Sequence, residues 1–120
     1  MSPKAKAELA SDHLEVARDD LDGERMGDAL NALFYASEAA VVALAEEHHI
    51  DTKKNHRLKA SAAKELFEKG ILDKDFSTLL RELNQGRKDH WYEGEEPDID
   101  LEEAYAEVEI LVDAAQGEDE

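Results

Sequence analysis

Residues 24–48 read Glu24-Arg-Met-Gly-Asp-Ala-Leu-Asn-Ala-Leu-Phe-Tyr-Ala-Ser-Glu-Ala-Ala-Val-Val-Ala-Leu-Ala-Glu-Glu-His48, with Met26, Leu30, Leu33, Phe34, Val41, Val42 and Leu44 interleaved with alanines at 29, 32, 36, 39, 40 and 43. In a helix turning ~100° per residue these positions fill most of the circumference rather than one stripe. A helix apolar nearly all round has to be covered from several sides. The stretch therefore predicts a central α-helix from about Glu24 to His48, and the flanking segments must supply its cover.

The flanks read as helices too. Only Pro3 and Pro97 interrupt the chain, and both fall outside the periodic segments, so long helices are permitted between them. Ser2 followed by Pro3 is an N-cap with proline at the first helical position, opening a helix to about Leu21 with Leu9, Leu14 and Val16 inward. Asp22-Gly23 ends it. A polar connection over 49–55 precedes a third helix with Leu58, Ala62, Leu66 and Phe67 inward, stopped at Gly70 as a C′ residue. Asp73 is expected to cap a fourth helix reaching about Tyr92. After a loop over 94–99, Asp100 and Glu103 have capping-box spacing for a fifth helix, with Leu101, Tyr105, Val108, Leu111 and Val112 inward. Short connections between long helices predict an all-α, up-and-down antiparallel bundle of four to five helices. One domain is expected over 1–116, with a frayed acidic tail over 117–120.

Composition narrows the function. The chain has 120 residues, no cysteine, and 31 acidic against 14 basic residues, for a formal charge of −17. Absence of cysteine excludes a disulfide scaffold, thiolate metal ligation and thiol catalysis. The charge repels polyanions over most of the surface, so RNA contact would need a local basic cleft. No secretory signal is visible and no apolar segment reads as a membrane span; a cytoplasmic location without membrane contact is expected. The sequence holds no glycine-rich phosphate loop, nucleophile elbow or zinc-protease helix.

The fourth helix carries the sharpest chemical signal. Steps of 4, 3, 4 and 3 place Phe76, Leu80, Leu83, Arg87 and His90 on one stripe, turning a guanidinium and an imidazole where the leucines point. Such groups are seldom buried without partners, so they cap a polar network or line a cleft. The plainer alternative pairs Arg87 with a carboxylate and packs His90 beside Trp91. Gly86, just before Arg87, costs about 1 kcal/mol relative to alanine in a helix and implies a kink or a close approach. Glu38, a carboxylate on the central helix, is expected to pair with Arg81 or Arg87, and Tyr35 and Tyr105 to bury their rings with hydroxyls at the core edge.

The run from Ala32 to Leu44, then Asp51-Thr-Lys-Lys-Asn-His56, Leu66-Phe67, Lys69-Gly-Ile-Leu-Asp73 and Leu83-x3-Arg87-x4-Tyr92, together resemble a small single-domain HEPN protein over about residues 4 to 115. The resemblance implies a bundle of four or five helices that forms a homodimer and is often encoded beside a minimal nucleotidyltransferase in toxin–antitoxin or defence systems. Many members are metal-independent ribonucleases whose Arg and His, separated by four to six residues, face a cleft across the dimer axis. Here only Lys88 and Asp89 separate Arg87 from His90, Arg81 and His90 lie on opposite helix faces, and Tyr92 stands where a family histidine would be.

Cleavage of RNA through its 2′-hydroxyl needs a base, an acid and a cation for the phosphorane charge. His90 could take or give the proton and Arg87 could hold the phosphate, against opposition from Asp89, Glu93, Glu95 and Glu96. Two expectations from different classes follow: a non-catalytic homodimeric binding module docking a partner such as a nucleotidyltransferase, with Glu38, Arg81 and Tyr92 in a polar network, or a ribonuclease using Arg87 and His90. A metal site from His48, His49, His56, Glu46, Glu47 and Asp51 is the weaker reading, because adjacent histidines diverge on a helix and Glu46-x-x-His49 has no second copy. A polar helix end facing the C-terminal dipole accounts for His48 and His49. Neither cofactor nor metal is expected.

Overall fold

The computed structural model describes residues 2–52, 56–94 and 99–117, with the side chains of 56–58 and 91–93 left outside that description. Five helices follow in order: α1 (Pro3–Asp22), α2 (Met26–Glu47), α3 (His56–Glu68), α4 (Ser77–Glu93) and α5 (Leu101–Gln116). No strand occurs among the described residues.

The helix ends follow from local chemistry. The Ser2 hydroxyl accepts the Ala5 amide proton at 3.1 Å and Pro3 opens α1. Asp100 accepts from the amides of Glu102 and Glu103 at 3.1 and 3.2 Å, satisfying two donors that the helix itself cannot. Asp100→Ala is expected to lower stability by about 1 kcal/mol, read as a drop in the thermal midpoint with α5 helicity retained. Gly70, Gly94 and Gly117 adopt φ of 76°, 69° and 74° beyond the ends of α3, α4 and α5, a backbone region that side chains disfavour.

α2 is the hub. It packs against α1, α3, α4 and α5, while α1 adjoins α5 and α3 adjoins α4. Contacts along the helices give their directions. Lys6 pairs with Glu46 and the His13 ring meets Tyr35, so α1 runs against α2. Gly86 lies against Leu30 whereas His90 lies against Gly27, so α4 also opposes α2. Arg18 holds Glu102 at 2.9 Å and stacks over the Tyr105 ring at 4.8 Å, tying α1 to α5. That hydrogen bond holds the Glu102 carboxyl below its ordinary range, while burial raises the Tyr105 hydroxyl.

The core is built on α2, where Leu30, Leu33, Phe34 and Val41 are fully enclosed with Leu66, Phe76, Leu83, Val108 and Leu111 from the surrounding helices. Alanines at 29, 36 and 40 of α2 and at 10 and 17 of α1 have no exposed surface. Such small residues let helix backbones approach, which is why α1 and α2 form a tight hairpin.

Several expectations are corrected. Leu9 and Val16 are 37% and 50% exposed, and Phe67 is 41% exposed; each sits on the flank of an amphipathic helix that no neighbouring helix covers. Asp73 does not cap α4, which starts at Ser77. Instead the Asp75 carboxylate accepts the Ser77 amide proton at 2.9 Å, and hydrogen bonds from the Ser77 hydroxyl and amide hold Asp75 below the usual carboxylate range. Gly86 in α4 marks a close approach, by side chains rather than by a backbone. A Cβ there would sit 3.3 Å from both Leu30 Cδ2 and Ile99 Cδ1, so the glycine admits side chains of α2 and of the segment leading into α5. By length and hydropathy α2 does qualify as a membrane span, contrary to the sequence reading; 72% of its apolar window is buried inside the bundle. Residues 118–120 of the expected acidic tail, the loop at 95–98 and the Leu58 side chain lie outside the described residues.

Candidate functional site

The stripe on α4 continues without a break from core to polar groups. Phe76, Leu80 and Leu83 are buried, and one and two turns further Arg87 and His90 are partly buried along the same line. Arg87 does not pair with a carboxylate among the described residues. Its Cζ lies 4.6 Å from the Phe34 ring centroid and 5.8 Å from that of Tyr35, and Nη2 donates to Asn84 Oδ1 at 2.9 Å. The Nε is buried with no hydrogen-bond partner. An orphaned donor of this kind costs about 1–3 kcal/mol, and stacking over two aromatic faces offsets much of it.

His90 packs over α2; the Trp91 side chain, expected beside it, lies outside the described residues. A Cβ at Gly27 would fall 2.1 Å from His90 Nε2, so the absent side chain at Gly27 is what makes room for the imidazole. Gly27→Ala is expected to push His90 out of this seat. Stability should change by no more than about 1 kcal/mol, since alanine is the better helix former and the displaced group is the end of a rotatable side chain. An altered His90 ring proton shift with a nearly unchanged thermal midpoint is the expected result.

The other candidates distribute elsewhere. Glu38 is buried on α2 and forms an ion pair with Lys59 of α3 at 3.4 Å, a cation other than the Arg81 or Arg87 of the sequence expectation. Arg81 is exposed and donates to Ser77 Oγ at 3.3 Å, joining the Asp75 cluster at the start of α4. Tyr92 has a described backbone in α4 but a side chain outside the described residues. Tyr105 is partly buried as expected, whereas Tyr35 is 39% exposed. Its ring stands between the Arg87 guanidinium and the His13 ring, the latter at 5.8 Å.

His48 ends α2 and His49 takes φ 59°, both exposed. Among the described residues no three His, Asp or Glu groups converge as metal ligands; the His56 side chain is outside them. Sequence reasoning missed Gly27, Asn84, Phe34 and Lys59 as partners of the candidates. A glycine in the first turn of an otherwise alanine-rich helix was the available signal for Gly27.

A partly buried cation on aromatic rings and an imidazole seated on a glycine, both on a helix antiparallel to the hub of an all-α bundle, define a helical domain with one polar seam. The family model for the HEPN domain matches residues 6–118, and the chain belongs to that family. Neither the curated proteins nor the solved structures give a significant match.

Proposed function

We propose that this HEPN-family chain is a non-catalytic helical binding module that works as a cytoplasmic homodimer and docks a partner protein such as a minimal nucleotidyltransferase, in a toxin–antitoxin or defence setting. The observation that carries the reading is the state of Arg87: its partly buried guanidinium is already engaged by Phe34, Tyr35 and Asn84, which competes with the phosphate contact that phosphoryl chemistry would need. The −17 charge adds repulsion against a polyanion, and the spacing of Arg87 and His90 departs from the family's ribonuclease pattern.

The second reading is a metal-independent ribonuclease. It is favoured by one feature, the placement of Arg87 and His90 along a single stripe, where a two-fold partner would add a second pair. Incubating purified protein with mixed-sequence RNA separates the two. The binding-module reading expects no cleavage above background from the wild type, Arg87→Ala or His90→Ala. Cleavage by the wild type that disappears in both variants, with circular dichroism melts showing the fold intact, would establish the ribonuclease instead. Partner docking is tested by co-expression with a minimal nucleotidyltransferase: co-elution through gel filtration is expected, and separate elution argues against that partner.

A further inference from the structure

The packing around α2 leaves two seams with little direct helix–helix contact, α4–α5, where Ile99 comes against Gly86, and α1–α3. α1 is braced by α5 and α3 by α4, but no comparable packing joins α1 to α3. Between them lies an open groove of about 240 Å³ lined by the apolar or aromatic Leu9, Tyr35, Ala39 and Val42, with His13, Glu38 and, at its rim, Lys6 and Lys59 completing the lining. Val16, two turns of α1 beyond Leu9 and half exposed, extends the same apolar side. Leu9 to Val16 and Tyr35 to Val42 each span seven residues, ~10 Å of helix. That length accepts two or three apolar side chains spaced i, i+4 and i+7.

We infer that this groove docks a cationic amphipathic helix of a partner protein. Charge selects the sign of the occupant. Both rim lysines are already matched, Lys6 by Glu46 and Lys59 by Glu38. Asp12 and Asp19 stand exposed on α1, each ~60° round the helix from Leu9 and Val16 respectively, on a chain with formal charge −17. An apolar trench with an acidic flank complements a helix carrying leucines on one face and lysines or arginines on its flanks. An anionic helix would meet Asp12 and Asp19 along that flank of α1. The inference rests on the binding-module reading and adds to it the docking face and the chemistry of the partner. Tyr35 belongs both to the groove and to the seat of Arg87, so an occupied groove presses on the polar seam.

The test uses an 18-residue fluorescent peptide with leucines at i, i+4, i+7 and i+11 and lysines on the flanks, an otherwise identical peptide with glutamates for lysines, and a scrambled cationic control. Fluorescence anisotropy at moderate ionic strength is expected to show saturable binding of the cationic helix alone. Val42→Glu and Leu9→Glu each add a negative charge that by itself would favour this peptide, so their expected tenfold or greater weakening reads the lost apolar floor. Ile110→Glu, an exposed position on α5 outside the groove, should bind as the wild type does. Equal binding of the scrambled or acidic peptide, no binding at all, or binding untouched by both groove variants overturns the inference. Sedimentation equilibrium of the same variants separates the remaining occupant: a wild-type dimer broken by Val42→Glu, with no peptide bound, assigns the groove to a second copy and rejects the cationic helix while leaving the binding-module reading standing. Failure of that reading is registered independently, by RNA cleavage that depends on Arg87 and His90.

Discussion

Phe34→Ala is expected to lower the stability of the protein by about 3–5 kcal/mol, the largest effect of any single truncation considered. Phe34 is 1% exposed at the centre of the hub helix, so the substitution removes a whole buried ring and leaves a cavity that helices packed on several sides cannot close. It also removes the nearer of the two rings under Arg87, 4.6 Å from the guanidinium carbon. The arginine then loses its cation–π partner while its Nε stays unpaired, so the effect belongs toward the upper end of that range. In urea unfolding the midpoint should fall steeply with the slope nearly unchanged. A loss below about 1.5 kcal/mol would mean that the ring is not enclosed as described. Phe34→Leu, which keeps most of the apolar volume but not the aromatic face, should recover most of the stability and none of the stacking.

Ala10→Leu is expected to destabilise by about 1–3 kcal/mol from the opposite direction. Ala10 has no exposed surface on the face of α1 that lies against α2, opposite a helix that is itself lined by enclosed alanines at 29, 36 and 40. Leucine is larger by three carbons, and a close-packed interface can house them only by pushing the helices apart or forcing poor rotamers. Helix propensity cannot account for the loss, since leucine is nearly as good a helix former as alanine. The predicted signature is a lower thermal midpoint together with weaker His13–Tyr35 and Lys6–Glu46 contacts, because both span the same hairpin. An unchanged or raised midpoint would show room between α1 and α2 that the structure does not have.

The two expectations rest on features with unequal visibility in the sequence. An apolar surface all round residues 26–47 was enough to identify the hub, because only a helix covered on several sides tolerates that pattern. Ser2-Pro3 and Asp100 were legible for a related reason, since capping depends on atoms within a few residues. Asp73 misled because the chain has several acidic residues before α4, and the carboxylate that contacts the first turn, Asp75, binds an amide two residues ahead in a local turn instead of capping the helix. Leu9, Val16 and Phe67 are exposed against expectation because periodicity reports which side of a helix is apolar and cannot report whether a neighbour covers it.

The site was half legible for a similar reason. Spacing alone put Arg87 and His90 on the leucine stripe, and there they lie. Their partners come from another helix, however, and no local rule relates position 90 to Gly27 or position 87 to Phe34. Glu38 stands out as a carboxylate in the middle of alanine-rich α2, but nothing local says which cation meets it. Lys59 reaches it from α3, across a connection whose geometry is set by the whole bundle.

The central claim is that the Arg87 guanidinium is seated on Phe34 and Tyr35 and withheld from phosphate, and the Arg87 Nε–H resonance tests it most directly. With nitrogen-15-labelled protein, assigned by its loss in Arg87→Lys, the account predicts a signal slow to exchange with solvent and unmoved by an excess of single-stranded RNA. A signal that exchanges as freely as those of exposed arginines, or that shifts in proportion to added RNA, would contradict it.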